Sequence, residues 1–294
     1  MVRGSVVLAV LGTVFVSSGA PAAATAYRQT DGRVATRPDH PSATDARALD
    51  DLLDRSGLRV QLESMSAGVR VQFLRGHRRL NGQDRVTIDR IVSARFDPET
   101  LYTRIKLEFE RNLDAEKLAK ALAWYDSPLG RRITGLELAA LVTETGRDAL
   151  ADLERDDPSS RRLGLIERLD AGGGASETTV DVTIAIVRSL TLAFQPALPA
   201  VARLNHGQLE DQFARARNRT LEQIRHACIV NMLLAYRGLS DQELDRYVLF
   251  VESEAGQWYM SVMNSALLAA VDVAAEATAT ELVTAVPQLV GDLR

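Results

Sequence analysis

Two stretches decide how this chain is read. The first is Asn112-Leu113-Asp114-Ala115-Glu116-Lys117-Leu118, running on to Trp124-Tyr125-Asp126-Ser127-Pro128-Leu129-Gly130. The second is Gly238-Leu239-Ser240-Asp241-Gln242-Glu243-Leu244, running on to Phe250-Val251-Glu252-Ser253-Glu254-Ala255-Gly256. They align without a gap when residue n is set against residue n+126. The identical pairs are Leu113/Leu239, Leu118/Leu244, Ser127/Ser253, Gly130/Gly256, Ala140/Ala266 and Leu141/Leu267. These are few, but a fixed offset is the mark of an internal repeat, and the matches fall where helix physics needs them. Asp114 and Ser240 carry side-chain oxygens that can accept from the free N–H groups of a first helical turn. Ser240 with Glu243 completes a capping box, whereas Lys117 stands at that place in the first stretch. Leu113 and Leu239 precede the cap, with Leu118 and Leu244 one turn inside, the spacing of a hydrophobic staple. Each stretch therefore predicts a helix of about three turns. One face carries Leu118, Leu122 and Tyr125 in the first and Leu244, Val248 and Val251 in the second.

The chain then breaks and restarts. The residue before a proline disfavours helical geometry, and proline suits the first position of a helix, so Ser127-Pro128 predicts a new start capped by Ser127. Ser253 plays the same part, with Glu254 in place of proline and its charge at the positive helix end. Gly130 and Gly256 fall in the first turn of the new helices, where glycine costs ~1 kcal/mol relative to alanine. That cost predicts a close approach by another backbone. A concavity where the two restarts meet is the place a binding face would be expected.

The pattern of leucine and cap, aromatic, then acid-Ser-Pro-x-Gly resembles the bacterial domain-of-unknown-function family 2059. The first copy carries the likeness through Trp124-Tyr125-Asp126-Ser127-Pro128-Leu129-Gly130-Arg131-Arg132. The second carries it from Tyr236 to Gly256-Gln257-Trp258-Tyr259, with Glu254 replacing proline. The resemblance covers 43–155 and 176–286. It implies an exported, all-helical protein and brings no catalytic residues, since that family has no established activity.

The rest of the body agrees with an all-α fold. Leu49, Leu52 and Leu53, then Leu62, Met65, Val69 and Phe73, then Leu101, Ile105, Phe109 and Leu113 recur at helical spacing. Only 69–74 and 86–92 read equally well as helix turn or strand. The expected architecture is a helical bundle of two related multi-helix repeats, 43–158 and 159–290. Asp156-Asp157-Pro158-Ser159-Ser160 lies at their joint. Ala171-Gly172-Gly173-Gly174-Ala175 reads as a linker or helix cap; a phosphate cradle would need Gly-Lys-Ser/Thr after a strand.

Residues 1–26 read as a secretory signal peptide: Arg3, an apolar run from Val6 to Val16, and the Ala24-Thr25-Ala26 cleavage site that leaves Tyr27 first. Residues 27–42 read as a polar, disordered leader, and structure is expected from Ser42. The apolar run is shorter than the ~20 residues of a membrane span. Ser265–Val290 carries Asp272, Glu276 and Glu281 and is too polar to cross. The expectation is a periplasmic or secreted protein without stable membrane insertion.

Composition supports this. With 294 residues, 46% hydrophobic and 25% charged, the chain can bury a core without disulfide staples. Cys228 is the single cysteine, so it is a buried structural residue or the site of an intermolecular disulfide. A net charge of −4 leaves no nucleic-acid footprint. Of the 35 cationic residues only Lys106, Lys117 and Lys120 are lysine. The arginines are scattered among acids, which points to codon usage rather than an anion site.

A search for chemistry finds no catalytic, cofactor-binding or metal-binding residue. His40, His77, His206 and His226 form no i, i+4 pair. His226 and Cys228 point to different sides of a helix, and there is no Gly-x-Ser-x-Gly elbow. Trp258, Tyr259 and Met260 with Phe250 are core, or line a groove. The favoured function is a non-enzymatic periplasmic module that binds a protein or envelope component; the alternative is an envelope-acting enzyme whose site forms only in three dimensions. A perturbed carboxylate lining a cleft would favour the second.

Overall fold

Helix starts punctuate this chain, and most of them rest on a short polar side chain. Ser42, Asn81, Asp97, Asp114, Ser127, Ser159, Asn205, Ser240 and Ser253 each accept a hydrogen bond from the backbone N–H three residues on. A cap of this kind is worth ~1 kcal/mol. The computed structural model describes residues 42–76, 81–142, 158–198 and 203–286. The segment read as a signal peptide, and all of that read as a leader but Ser42, lie outside the described residues, as do His40, His77 and the Asp156-Asp157 part of the joint.

The first half holds α1 (Ala43–Arg55), α2 (Leu58–Gly76), α3 (Gly82–Arg95), α4 (Pro98–Arg111), α5 (Ala115–Asp126) and α6 (Pro128–Val142). The second holds α7 (Ser160–Gly173), α8 (Ala175–Phe194), a single 3-10 turn at Gln195–Ala197, α9 (His206–Ala235), α10 (Asp241–Glu252) and α11 (Glu254–Ala285). Among the described residues there is no strand, and the fold is all-α. The ambiguous segments 69–74 and 86–92 are parts of α2 and α3. Val69 and Phe73, like Ile88, Ile91 and Val92, are buried at the three- and four-residue spacing that puts one helix face inward.

The 32-residue α11 is the spine. At 1.5 Å per residue it is about 48 Å long. It packs most extensively against α8 and also meets α3, α4 and α5 of the first half. Ala266, Ala270, Ala274, Ala275 and Ala279 are buried along it; such short side chains let neighbouring helices pack near the lower end of the usual 8–10 Å separation. In the first half α5 rests on α1, and α2 on α3 and α4; in the second α10 rests on α7, and α9 on α8. A single hydrophobic core runs from Leu49 through Phe109 and Tyr125 to Tyr259 and Val286. No described helix is long and apolar enough to cross a membrane.

The two restarts use no linker at all. Ser127 ends α5 and begins α6, and Ser253 ends α10 and begins α11. The N–H of Ser127 donates to the carbonyl of Trp124, and that of Ser253 to Phe250, both at 3.0 Å. Those carbonyls then face the first turn of the next helix. A Cβ on Gly130 would sit 2.1 Å from the Trp124 oxygen, and one on Gly256 2.0 Å from the Phe250 oxygen. The close approach is thus made by the preceding helix's own last turn, and glycine is the residue that fits.

Replacing Gly130 or Gly256 by Ala is therefore expected to lower the melting temperature, at a cost of ~2 kcal/mol each from overpacking. Gly135 is a matched control: it is exposed in α6 and nothing lies within 4 Å of a Cβ placed there. Gly135→Ala should raise stability by up to ~1 kcal/mol. Calorimetry of the three variants checks both signs.

Candidate functional site

The capping residues of the two stretches all engage their own backbone. Asp114 accepts from the Lys117 N–H at 3.1 Å, and Ser240 from the Glu243 N–H at 3.3 Å. Glu243 returns a contact from the Ser240 N–H at 2.8 Å, completing the capping box. Ser127 and Ser253 accept from Gly130 and Gly256 at 2.9 and 3.1 Å. Leu118, Leu239 and Leu244 are buried and Leu113 packs against the core. Pro128 and Glu254 both stand as first helical residues, so the restart does not depend on proline.

Trp124 and Phe250, which occupy matching positions before the two breaks, stack on each other at 4.5 Å and 8°. Tyr247 also stacks on Trp124, and Tyr125 meets Phe250 edge-on. Tyr259 bridges Tyr125 and Phe109, and Phe109 meets Trp258 edge-on. On α11 Tyr259 and Met260 are buried in the core, and Trp258 packs against it partly buried.

Sequence reading missed the polar centre of this region. Glu137 of α6 is only 8% exposed. One of its oxygens accepts from the hydroxyls of Tyr236, at the end of α9, and Tyr247 of α10, at 2.7 and 2.9 Å. Burial pushes this carboxyl up to about 7, with the two phenol donors pulling the other way. Burial likewise raises Tyr236, Tyr247 and Tyr125 well above the usual phenol range and Tyr259 to about 12. The phenols therefore remain donors at any physiological pH. Thr134, one turn before Glu137, is also buried, and its hydroxyl has no hydrogen-bond partner. The one signal available in the sequence was a lone charge in Leu136-Glu137-Leu138-Ala139-Ala140-Leu141-Val142. The arrangement can hold a proton on a carboxyl walled in by rings; it does not present that carboxyl in a cleft.

Two guanidinium groups close the turn that leads into α10. Arg162 of α7 donates to the carbonyls of Tyr236 and Leu239, at 2.6 and 3.0 Å, and pairs with Asp241 at 3.0 Å. Arg132 of α6 donates to the carbonyl of Gly238 at 2.6 Å and pairs with Glu243. In the opposite direction, the indole N–H of Trp258 donates to the carbonyl of Asn112 at 2.9 Å. At least part of the arginine excess thus does structural work that lysine, with no fork, would do poorly.

Cys228 is free and buried, and burial pushes its thiol up to about 11. It is a structural residue; an intermolecular disulfide would need an accessible sulfur. The glycine loop is a cap: Gly174 has φ 62° and donates to the Asp170 carbonyl at 2.6 Å. The carboxylate of Asp170 then caps α8 by accepting from the Ser176 N–H at 3.0 Å. Among the described residues no group of His, Cys, Asp and Glu is placed to hold a metal ion.

Removing the donors to Glu137 tests the centre. Tyr236→Phe and Tyr247→Phe should each cost ~1 kcal/mol in denaturant titration. The double variant should cost more than the two together, because the buried carboxyl then has no donor. Comparison with family profiles, curated proteins and solved structures gives no match for this chain, so its function is argued from its own geometry.

Proposed function

We propose that the chain is an exported, non-enzymatic helical module built from two copies of one unit, 43–158 and 159–290, that binds a protein or envelope component. One observation carries the non-enzymatic reading: the polar side chains of both motif copies close on the protein itself, as caps and as ion pairs, and the perturbed carboxyl is enclosed by tyrosines. An enzyme reading needs polar side chains that converge on an open cleft.

Reciprocal contacts support duplication. Arg132 donates to the carbonyl of Gly238, and its counterpart at n+126, Trp258, donates to the carbonyl of Asn112, the counterpart of Gly238. Trp124 meets its own counterpart Phe250. Such i-to-j and j-to-i pairing is what a two-fold arrangement of like units produces. The acids before the two breaks also match: Asp126 pairs with Arg55 of α1, and Glu252 with Arg168 of α7. The resemblance to family 2059 and the signal-like 1–26 segment support export.

Expressing the full chain in a bacterium, fractionating the cells and sequencing the protein's N-terminus tests export. The expected product begins at Tyr27 outside the cytoplasm; a cytoplasmic product retaining Met1 overturns the reading. Incubating the purified mature chain with an envelope extract separates the two function classes. Capture of a stable partner without turnover is expected, and a time-dependent chemical change in the extract would favour the enzyme.

A further inference from the structure

Glu137 lies at the meeting point of the two halves: its helix belongs to the first, and both of its hydrogen-bond donors belong to the second. We propose that Glu137 is a proton-operated latch, which holds α6 against the α9–α10 corner when protonated and loosens that contact when ionised.

The geometry gives the latch its direction. The groups facing Glu137 are phenols, Tyr236 from the end of α9 and Tyr247 from α10, with Tyr125 of α5 and Tyr259 of α11 beyond them. None is a cation. On α6 itself Arg132 is engaged by Glu243 and Gly238, and Arg131 pairs with Asp126 at 3.0 Å. The charged residues of α2 (Arg59, Glu63, Arg70 and Arg75) are exposed. On α5, Lys117 and Lys120 pair with Asp114 and Glu116. On α9 the nearest charge in sequence, Arg237, is exposed; on α10, Asp241 pairs with Arg162, Asp245 lies by Arg168 and Arg246 is exposed. An ionised Glu137 therefore has two phenol donors and no counter-ion, a costly state for a buried charge. A protonated Glu137 keeps both phenol contacts and gains a donor. Thr134, on the same helix face one turn earlier, has an unpartnered hydroxyl oxygen in the same buried layer.

The sign follows from linkage. The folded carboxyl holds its proton up to about 7, whereas the unfolded one releases it in the usual carboxylate range. Between those limits the folded state binds more protons, so stability falls as pH rises and levels off above the folded value. In an exported protein, whose surroundings follow the external pH, this makes the contact between the halves tightest in acid.

Tryptophan fluorescence of the full chain reads the latch directly, because Trp124 stacks on both Tyr247 and Phe250. In a Trp258→Phe background, leaving Trp124 as the single indole, the emission should shift with a midpoint near pH 7. The shift should vanish in Glu137→Gln, which keeps an oxygen for the two phenols and cannot ionise. Hydrogen exchange of the unmodified chain, corrected for intrinsic pH dependence, gives a second readout that needs no variant. Segments 128–142 and 236–252 should open about tenfold more at pH 8 than at pH 5.5, with α1 and α3 unchanged. A flat emission profile from pH 5 to 9 with uniform exchange, or a Glu137→Gln variant that titrates like its parent, overturns the proposal.

Discussion

A helix that stops and restarts on one residue sets the geometry of this protein. At Ser127 and at Ser253 the same serine closes one helix and caps the next, so there is no loop to absorb a change in crossing angle. The carbonyl three residues before the serine turns into the path of the new helix, and only a glycine in the first turn leaves it room. The directions of α6 and α11 are thereby fixed relative to α5 and α10. The aromatic residue at the end of each first helix is fixed with them. Trp124 and Phe250 are carried to within stacking distance, and the rest of the aromatic core assembles around that pair.

Because the core is built on rings, it can enclose a polar centre without leaving it unsatisfied. Aromatic side chains supply a large apolar area and, in tyrosine, one hydroxyl at the end of it. Tyr236 and Tyr247 use that hydroxyl on Glu137, so a carboxyl sits inside a hydrophobic layer with both donors in place. The same enclosure raises its affinity for a proton.

Arginine holds the periphery of this layer. A helix C-terminus leaves carbonyls unpaired, and the corner from Tyr236 to Ser240 would expose several close to the core. Arg162 and Arg132 reach it from two different helices and pair three of those carbonyls and two carboxylates. A planar fork with several donors can do this where a single ammonium cannot.

The sequence alone determined what is local. The caps at Asp114, Ser127, Ser240 and Ser253, the staple leucines, and the glycine constraint at Gly130 and Gly256 depend on residues within a turn or two of one another. Their spacing is therefore enough to read them. The all-α class followed from the same local periodicity. The cysteine's burial and the glycine loop's role as a cap were legible for the same reason. Tertiary structure alone decided which faces met. Glu137 lies roughly a hundred residues from Tyr236 and Tyr247, and a lone glutamate on a helix looks the same in sequence whether it faces water or rings. The glycines announced a close backbone approach, yet only the fold stacked Trp124 on Phe250. Arg132 and Arg162 looked like scattered surface charge until the fold carried the α9–α10 corner to them. Local hydrogen bonds are written in spacing, whereas burial and its electrostatic consequences belong to the assembled core.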